Sequence, residues 1–235
     1  MKFWNFSTSG DGSVLRINGY IAETSWFEDD VTPKQFASEL AKAKGDLTVW
    51  INSGGGDCFA ASQIFTMLKE YKGKVTVKID GVAFSAASVI AMAGDKVQMS
   101  PTAMMMIHNP ATMIFGEVQD LEDAIDMLNE VKSGIINAYV GKTGLPRDEL
   151  SQMMDDTTNM SALRAVELGF ADEMLYERMP LPAEGEELPS ASWNSRTEVM
   201  AVASAMRKKL PLKKQQPPTG TPIDSLEKRL SLLSH

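Results

Sequence analysis

The sequence is short of the residues that most often carry chemistry. Among its 235 residues there is one cysteine, Cys58, and there are two histidines, His108 and the terminal His235. A single cysteine excludes an internal disulfide, so this is not a small disulfide-stapled scaffold. No uninterrupted apolar run reaches membrane length and no charged-then-apolar leader opens the chain, which together point to a cytoplasmic location with no membrane partner. Basic residues form no stripe over the first three quarters and the net charge is −8, which argues against nucleic acid as the main partner.

What is present is an ordinary globular composition. With 43% hydrophobic and 23% charged residues, the chain can build one sizeable core and carry an appendage. The boundary falls near residue 177. Beyond it, Met179-Pro180-Leu181-Pro182 and Gln215-Gln216-Pro217-Pro218 have linker character, and the basic clusters Arg207-Lys208-Lys209 and Lys213-Lys214 contrast with the acidic body. Residues 178–235 are therefore expected to be a linker and tail, partly helical over 197–210 and 225–233, and otherwise irregular or disordered.

Within residues 1–177, short apolar runs alternate with helical periodicity. A strand is expected over 14–21 and a helix from Thr32-Pro33 through Phe36, Leu40 and Ala41. The buried-strand run Leu47-Thr48-Val49-Trp50-Ile51 ends in Asn52-Ser53-Gly54-Gly55-Gly56, and Ala60, Ile64, Met67 and Leu68 then recur at helical spacing. The pattern repeats as a strand at Val75-Val77-Ile79, a turn at Asp80-Gly81 and a small-residue helix over 83–93. Further strands are expected at 96–99 and 104–108. From Gly116 to Val140 a long amphipathic helix presents Val118, Leu121, Ile125, Leu128, Val131, Ile135 and Ala138 on one face. This alternation predicts an α/β fold with a mostly parallel sheet and a site at the C-terminal ends of its strands.

The scarcity of histidine narrows the candidates. Any histidine-dependent catalysis inside the folded domain must use His108. Ser85 sits in Gly81-Val82-Ala83-Phe84-Ser85-Ala86-Ala87-Ser88, a strand-to-helix junction of small side chains that leave room for a substrate backbone. A serine there can equally be a plain helix N-cap. Ser88, one turn later, should point into the helix contacts. A serine hydroxyl needs a base to take its proton, and a neutral imidazole suits that role, so Ser85 with His108 would form a nucleophile and its base. The triglycine Gly54-Gly55-Gly56 could bind phosphate, but no Lys-Ser/Thr follows it and no spaced dinucleotide fingerprint is present. It could instead present backbone amides to an oxyanion, or be only a tight turn.

Taken in order, Ile51-Asn52-Ser53-Gly54-Gly55-Gly56, Gly81-Val82-Ala83-Phe84-Ser85, Met106-Ile107-His108-Asn109-Pro110 and Met160-Ser161-Ala162 with Ala165-Val166-Glu167-Leu168-Gly169-Phe170-Ala171-Asp172 resemble the ClpP-type serine peptidases. The likeness covers residues 14–176, and the long helix after His108 falls where that family has its handle helix. The triglycine, the short N-terminal stretch and the extra tail resemble the ClpP-related head-maturation proteases of tailed phages and prophages. The resemblance implies a ClpP/crotonase-like fold of repeated β-β-α units with a protruding handle, and a homo-oligomeric ring. It implies Ser85 as nucleophile, His108 as general base, and the amides of Gly56 and Ala86 as oxyanion hole. Substrate is expected to add as a strand beside Gly54 and Gly55 and along the segment after Pro110. For the acid, the position three before Met160, where the family has aspartate, is Thr157; Asp156 is the first choice and Asp155 the second. No metal or cofactor is required. The implied substrate is protein, a capsid or scaffold protein in the phage setting, and the short N-terminus argues against dependence on an ATP-driven unfoldase. Two other readings stand beside this one: a catalytically idle capsid assembly or scaffolding protein, and a crotonase-type acyl-CoA enzyme.

Overall fold

In the computed structural model, residues 3–9, 12–22 and 33–176 are described; the expected tail over 178–235 lies outside them. They belong to the first of two units, residues 1–181 and 182–235.

The β-branched and aromatic runs become strands because they bury one face of a sheet. β1 (Trp4–Ser9) is antiparallel to β2 (Gly12–Ile21), which runs parallel to β3 (Leu47–Gly56), itself parallel to β4 (Val75–Phe84). Leu47, Val49 and Ile51 of β3 and Val75, Val77 and Ile79 of β4 point into the core, while Trp50 between them lies on the other face under Arg16 and Lys78. β4 then changes partner. Its first half pairs with β5 (Lys96–Met99) and its last residues, Val82 to Phe84, pair with β6 (Met104–Ile107). β6 in turn takes β7 (Thr158–Ser161) antiparallel, and β5 takes the short β8 (Glu173–Met174).

The helices are α1 (Pro33–Leu40), α2 (Cys58–Lys69), α3 (Ala86–Ala91), α4 (Val118–Thr143), α5 (Arg147–Asp155) and α6 (Ala162–Glu167). α2 is N-capped by Asp57, whose carboxylate accepts the Ala60 amide at 2.8 Å. α4 opens with a reciprocal Glu117/Asp120 capping box and ends on Gly144 in the left-handed conformation. No helix among the described residues is long and apolar enough to cross a membrane.

Four expectations change. The triglycine is the end of β3, with Tyr20 opposite Gly55 and Ile21 opposite Gly56, so it is strand and not a separate loop. The Asp80-Gly81 turn is absorbed into β4, where a register break carries the strand past Asn52, whose Oδ1 accepts the Val82 amide. The small side chains after Ser85 serve burial: every residue of α3 is buried, so alanines let the helix lie inside the molecule. The apolar face expected along α4 is only half used. Ile135, Ile136 and Tyr139 are buried, whereas Val118 (71% exposed), Leu121 and Ile125 project outward beside exposed Met113, Ile114 and Phe115.

Candidate active site

The partner change of β4 creates the site. Phe84 lies opposite Met106 in the parallel register, so His108, two residues further along, emerges beside Ser85 just past the end of β4. The Ser85 amide donates to the Met106 carbonyl at 2.8 Å, which ties the two strand ends together. His108 Nε2 lies 2.8 Å from Ser85 Oγ. The N-cap alternative is not taken, since the Ser85 side chain makes no capping bond to α3.

Ser85 has φ 55° and ψ −126°, a conformation that costs an L-residue about 1–3 kcal/mol and persists only when its surroundings hold it. The surroundings do so through Met106 on the amide and through Ser88 on the carbonyl, which receives the Ser88 amide at 2.9 Å and the Ser88 hydroxyl at 2.6 Å. A sharp turn of this kind pushes the side chain out of the chain path toward the histidine.

His108 is half-buried, and burial lowers its pKa below the ordinary 6.5 because charging it would cost solvation. It is therefore neutral near pH 7 and able to accept a proton. Its other ring nitrogen has no hydrogen-bond partner among the described residues. The β6–β7 ladder ends at Ile107 opposite Thr158, and Thr157, the residue before β7, has φ 54°. Asp156 Oδ2 accepts from Gln152 at 3.1 Å. Asp155 accepts from Asn109 and from Lys132, each at 2.7 Å, and these bonds hold its carboxyl below the usual carboxylate range. Neither carboxylate is hydrogen-bonded to His108.

The glycines divide by role. Gly55 is buried against Ser85: a β-carbon there would lie 2.7 Å from both Phe84 O and Ser85 Cβ and 3.2 Å from Ala86 N, and its φ is +97°. Gly56 lies against the Ile21 carbonyl with φ +149°, again leaving no room for a side chain. Gly54 faces open space. Ser53 anchors this strand end, donating to Gly19 O at 2.5 Å and accepting the Gly55 amide at 3.1 Å. The Gly54 to Gly56 stretch is thus no free edge, with β2 on one side and Ser85 on the other; only Gly54 is open to an incoming chain. The Ala86 amide, first in α3, has no carbonyl of its own helix to bond.

Sequence reasoning missed Tyr139, which reaches Ser88 from α4, and Lys132. Both are separated from their partners by a whole helix or more, and no local pattern marks them. Asn109 was visible only as part of the histidine motif.

An α/β sheet with a serine-histidine pair at its C-terminal strand ends, the serine on a strained turn, defines the class of protein. The Clp protease family model matches residues 20–178, and the chain belongs to the Clp protease family. It is 31% identical over 163 residues to the ATP-dependent Clp protease proteolytic subunit 1 of Chlamydia muridarum, an alignment covering 64% of this chain and 85% of that protein. It is 27% identical over 184 residues to the corresponding subunit of Chlamydia caviae, covering 71% and 96%. The likeness to the chloroplastic proteolytic subunit 6 of Arabidopsis thaliana is 28% over 134 residues, covering 56% of this chain and 49% of that protein. The mixed α/β architecture agrees with the ClpP-like fold expected from the sequence.

Proposed function

We propose that the chain is a serine endopeptidase with Ser85 as nucleophile and His108 as general base, acting on capsid or scaffold protein in phage head maturation. The observation that carries the peptidase reading is the 2.8 Å contact between His108 Nε2 and a serine hydroxyl not spent on capping. In the reaction His108 takes the Ser85 proton as Oγ attacks the peptide carbonyl carbon and the carbonyl electron pair moves onto oxygen. Collapse of this intermediate expels the amine, which leaves with the proton from His108; water, deprotonated by the same histidine, then cleaves the acyl ester. The amides of Gly56 and Ala86 are the proposed oxyanion donors, supported by the helix-start position of Ala86 and by Gly55, the residue before Gly56, lying against Ser85. Substrate main chain meets Gly54 and the exposed segment after Pro110. No cofactor takes part in any step.

Asp156 is the proposed acid. Its bond to Gln152 is a single exposed contact with a neutral donor, whereas Asp155, the second choice, is held by two donors including an ammonium group. The outward stripe Val118, Leu121 and Ile125 on α4 supports assembly of copies into a ring. The phage setting rests on the triglycine and the tail, and places the protein in the host cytosol. An idle assembly protein is the second reading, favoured by Thr157 at the position where the resembled family has its aspartate.

The test is a fluorophosphonate probe followed by mass spectrometry of wild type and Ser85→Ala, with a co-expressed capsid or scaffold protein as substrate. Labelling at Ser85 and loss of processing in the variant are expected. Processing unchanged in Ser85→Ala would leave the idle reading, and a folded wild type that does not label would remove the activated serine.

A further inference from the structure

We propose that Ser88 and Tyr139 are positioning residues for the nucleophile, forming a relay of hydroxyl groups from α4 to the carbonyl of Ser85. The inference rests on the reading of Ser85 as nucleophile and goes beyond it, since neither residue touches the reacting atoms.

The direction of the relay follows from donor counting. Ser88 Oγ is 2.6 Å from the Ser85 carbonyl, which can only accept, so the one proton of Ser88 is committed there. Tyr139 Oη lies 2.8 Å from the same Oγ and must donate to it. Both side chains are buried, Ser88 at 0% and Tyr139 at 1% exposure. Burial drives the Tyr139 phenol well above its ordinary pKa, so it keeps its proton throughout the working range. A donor that is itself polarised by a second donor holds its acceptor more firmly, and here the acceptor belongs to a residue in a left-handed, strained conformation. The Ser85 amide is fixed by Met106, and its carbonyl is fixed by Ser88 and, through it, by α4. Without the hydroxyl arm the carbonyl keeps only the amide of residue 88. The turn can then relax, and Oγ moves relative to His108.

A buried hydroxyl pair could also be merely satisfied, with no bearing on the serine's geometry. A double variant separates the two roles. Ser88→Ala alone orphans the Tyr139 hydroxyl, so it lowers Tm. Ser88→Ala with Tyr139→Phe removes both hydroxyls and leaves no buried group unpaired, so Tm returns toward wild type. If the relay positions Ser85, fluorophosphonate acylation of the double variant stays about 10-fold or more slower despite the recovered Tm, and kcat on a peptide falls with KM unchanged. Tyr139→Phe, which changes little volume, is expected to slow acylation about 3-fold or more, and carries the test if the double variant does not fold. Acylation that follows Tm across all variants, or a folded double variant acylating at the wild-type rate, overturns the relay while leaving the nucleophile intact. A folded wild type that does not label overturns the nucleophile reading, and the relay with it.

Discussion

Replacing Gly55 with alanine tests whether the glycine strand end is built around Ser85. At φ +97° an L side chain is strained by about 1–2 kcal/mol. The new methyl would also meet Phe84 O and Ser85 Cβ at 2.7 Å, and both are fixed, one as backbone and one as the first atom of a short side chain. Overpacking of this kind costs about 1–3 kcal/mol. The sum is about 2–5 kcal/mol, a large share of the roughly 5–15 kcal/mol that holds a domain together. For a domain of this size it corresponds to a fall in Tm of about 4–20 °C by differential scanning calorimetry. Gly54→Ala is the internal comparison: nothing lies within 4 Å of the new atom, so its Tm should be unchanged or slightly raised. The strain that does not unfold Gly55→Ala displaces Ser85, and a shift of about 1 Å is enough to slow fluorophosphonate labelling about 100-fold. Equal Tm losses for the two alanine variants, or wild-type labelling in Gly55→Ala, would refute the reasoning.

Three further outcomes are expected. Burial keeps His108 below its ordinary 6.5, so kcat/KM should fall on the acid side with a midpoint under 6.5. In the unfolded chain the histidine takes up its proton first as pH drops, so its stability contribution is intact above about 6.5 and is lost as pH falls through the folded value; the difference between wild type and His108→Gln in a pH series of Tm reads this directly, and because kcat/KM reports the free enzyme, a midpoint above 6.5 would show a carboxylate already engaged at the second ring nitrogen before substrate binds. Asp156→Asn should cut kcat on the order of 10⁴-fold, the size of effect seen when the acid of such a triad is amidated, with little change in Tm; a loss confined to Asp155→Asn would move the assignment to that residue. Leu121→Asp with Ile125→Asp, both on the outward face of α4, should leave the fold's stability within about 0.5 kcal/mol and reduce the assembly mass in light scattering; an unchanged mass would remove α4 from the interface.

The strands and helices were legible wherever a period of two or 3.6 was strong, as in β3, α2 and the docked half of α4. Errors gathered where glycine interrupts a strand. Gly54 to Gly56 and Asp80-Gly81 carry turn chemistry in their local sequence, yet cross-strand pairing with β2 and β6 extends β3 and β4 straight through them. The outward turn of Val118, Leu121 and Ile125 was equally hidden, because an apolar stripe has the same spacing whether it meets its own core or another chain.

By itself the sequence determined the α/β class, the family and the pair of residues worth examining, because a chain with one internal histidine and ordered motifs leaves few choices. Only the tertiary structure decided that Ser85 spends its hydroxyl on His108 rather than on capping, since that depends on β4 changing partner from β5 to β6. It also bound Asp155 to Lys132 and brought Tyr139 to Ser88 across 51 positions of sequence. Contacts between residues so far apart are fixed by sheet register and helix docking, and no local pattern of residues encodes either.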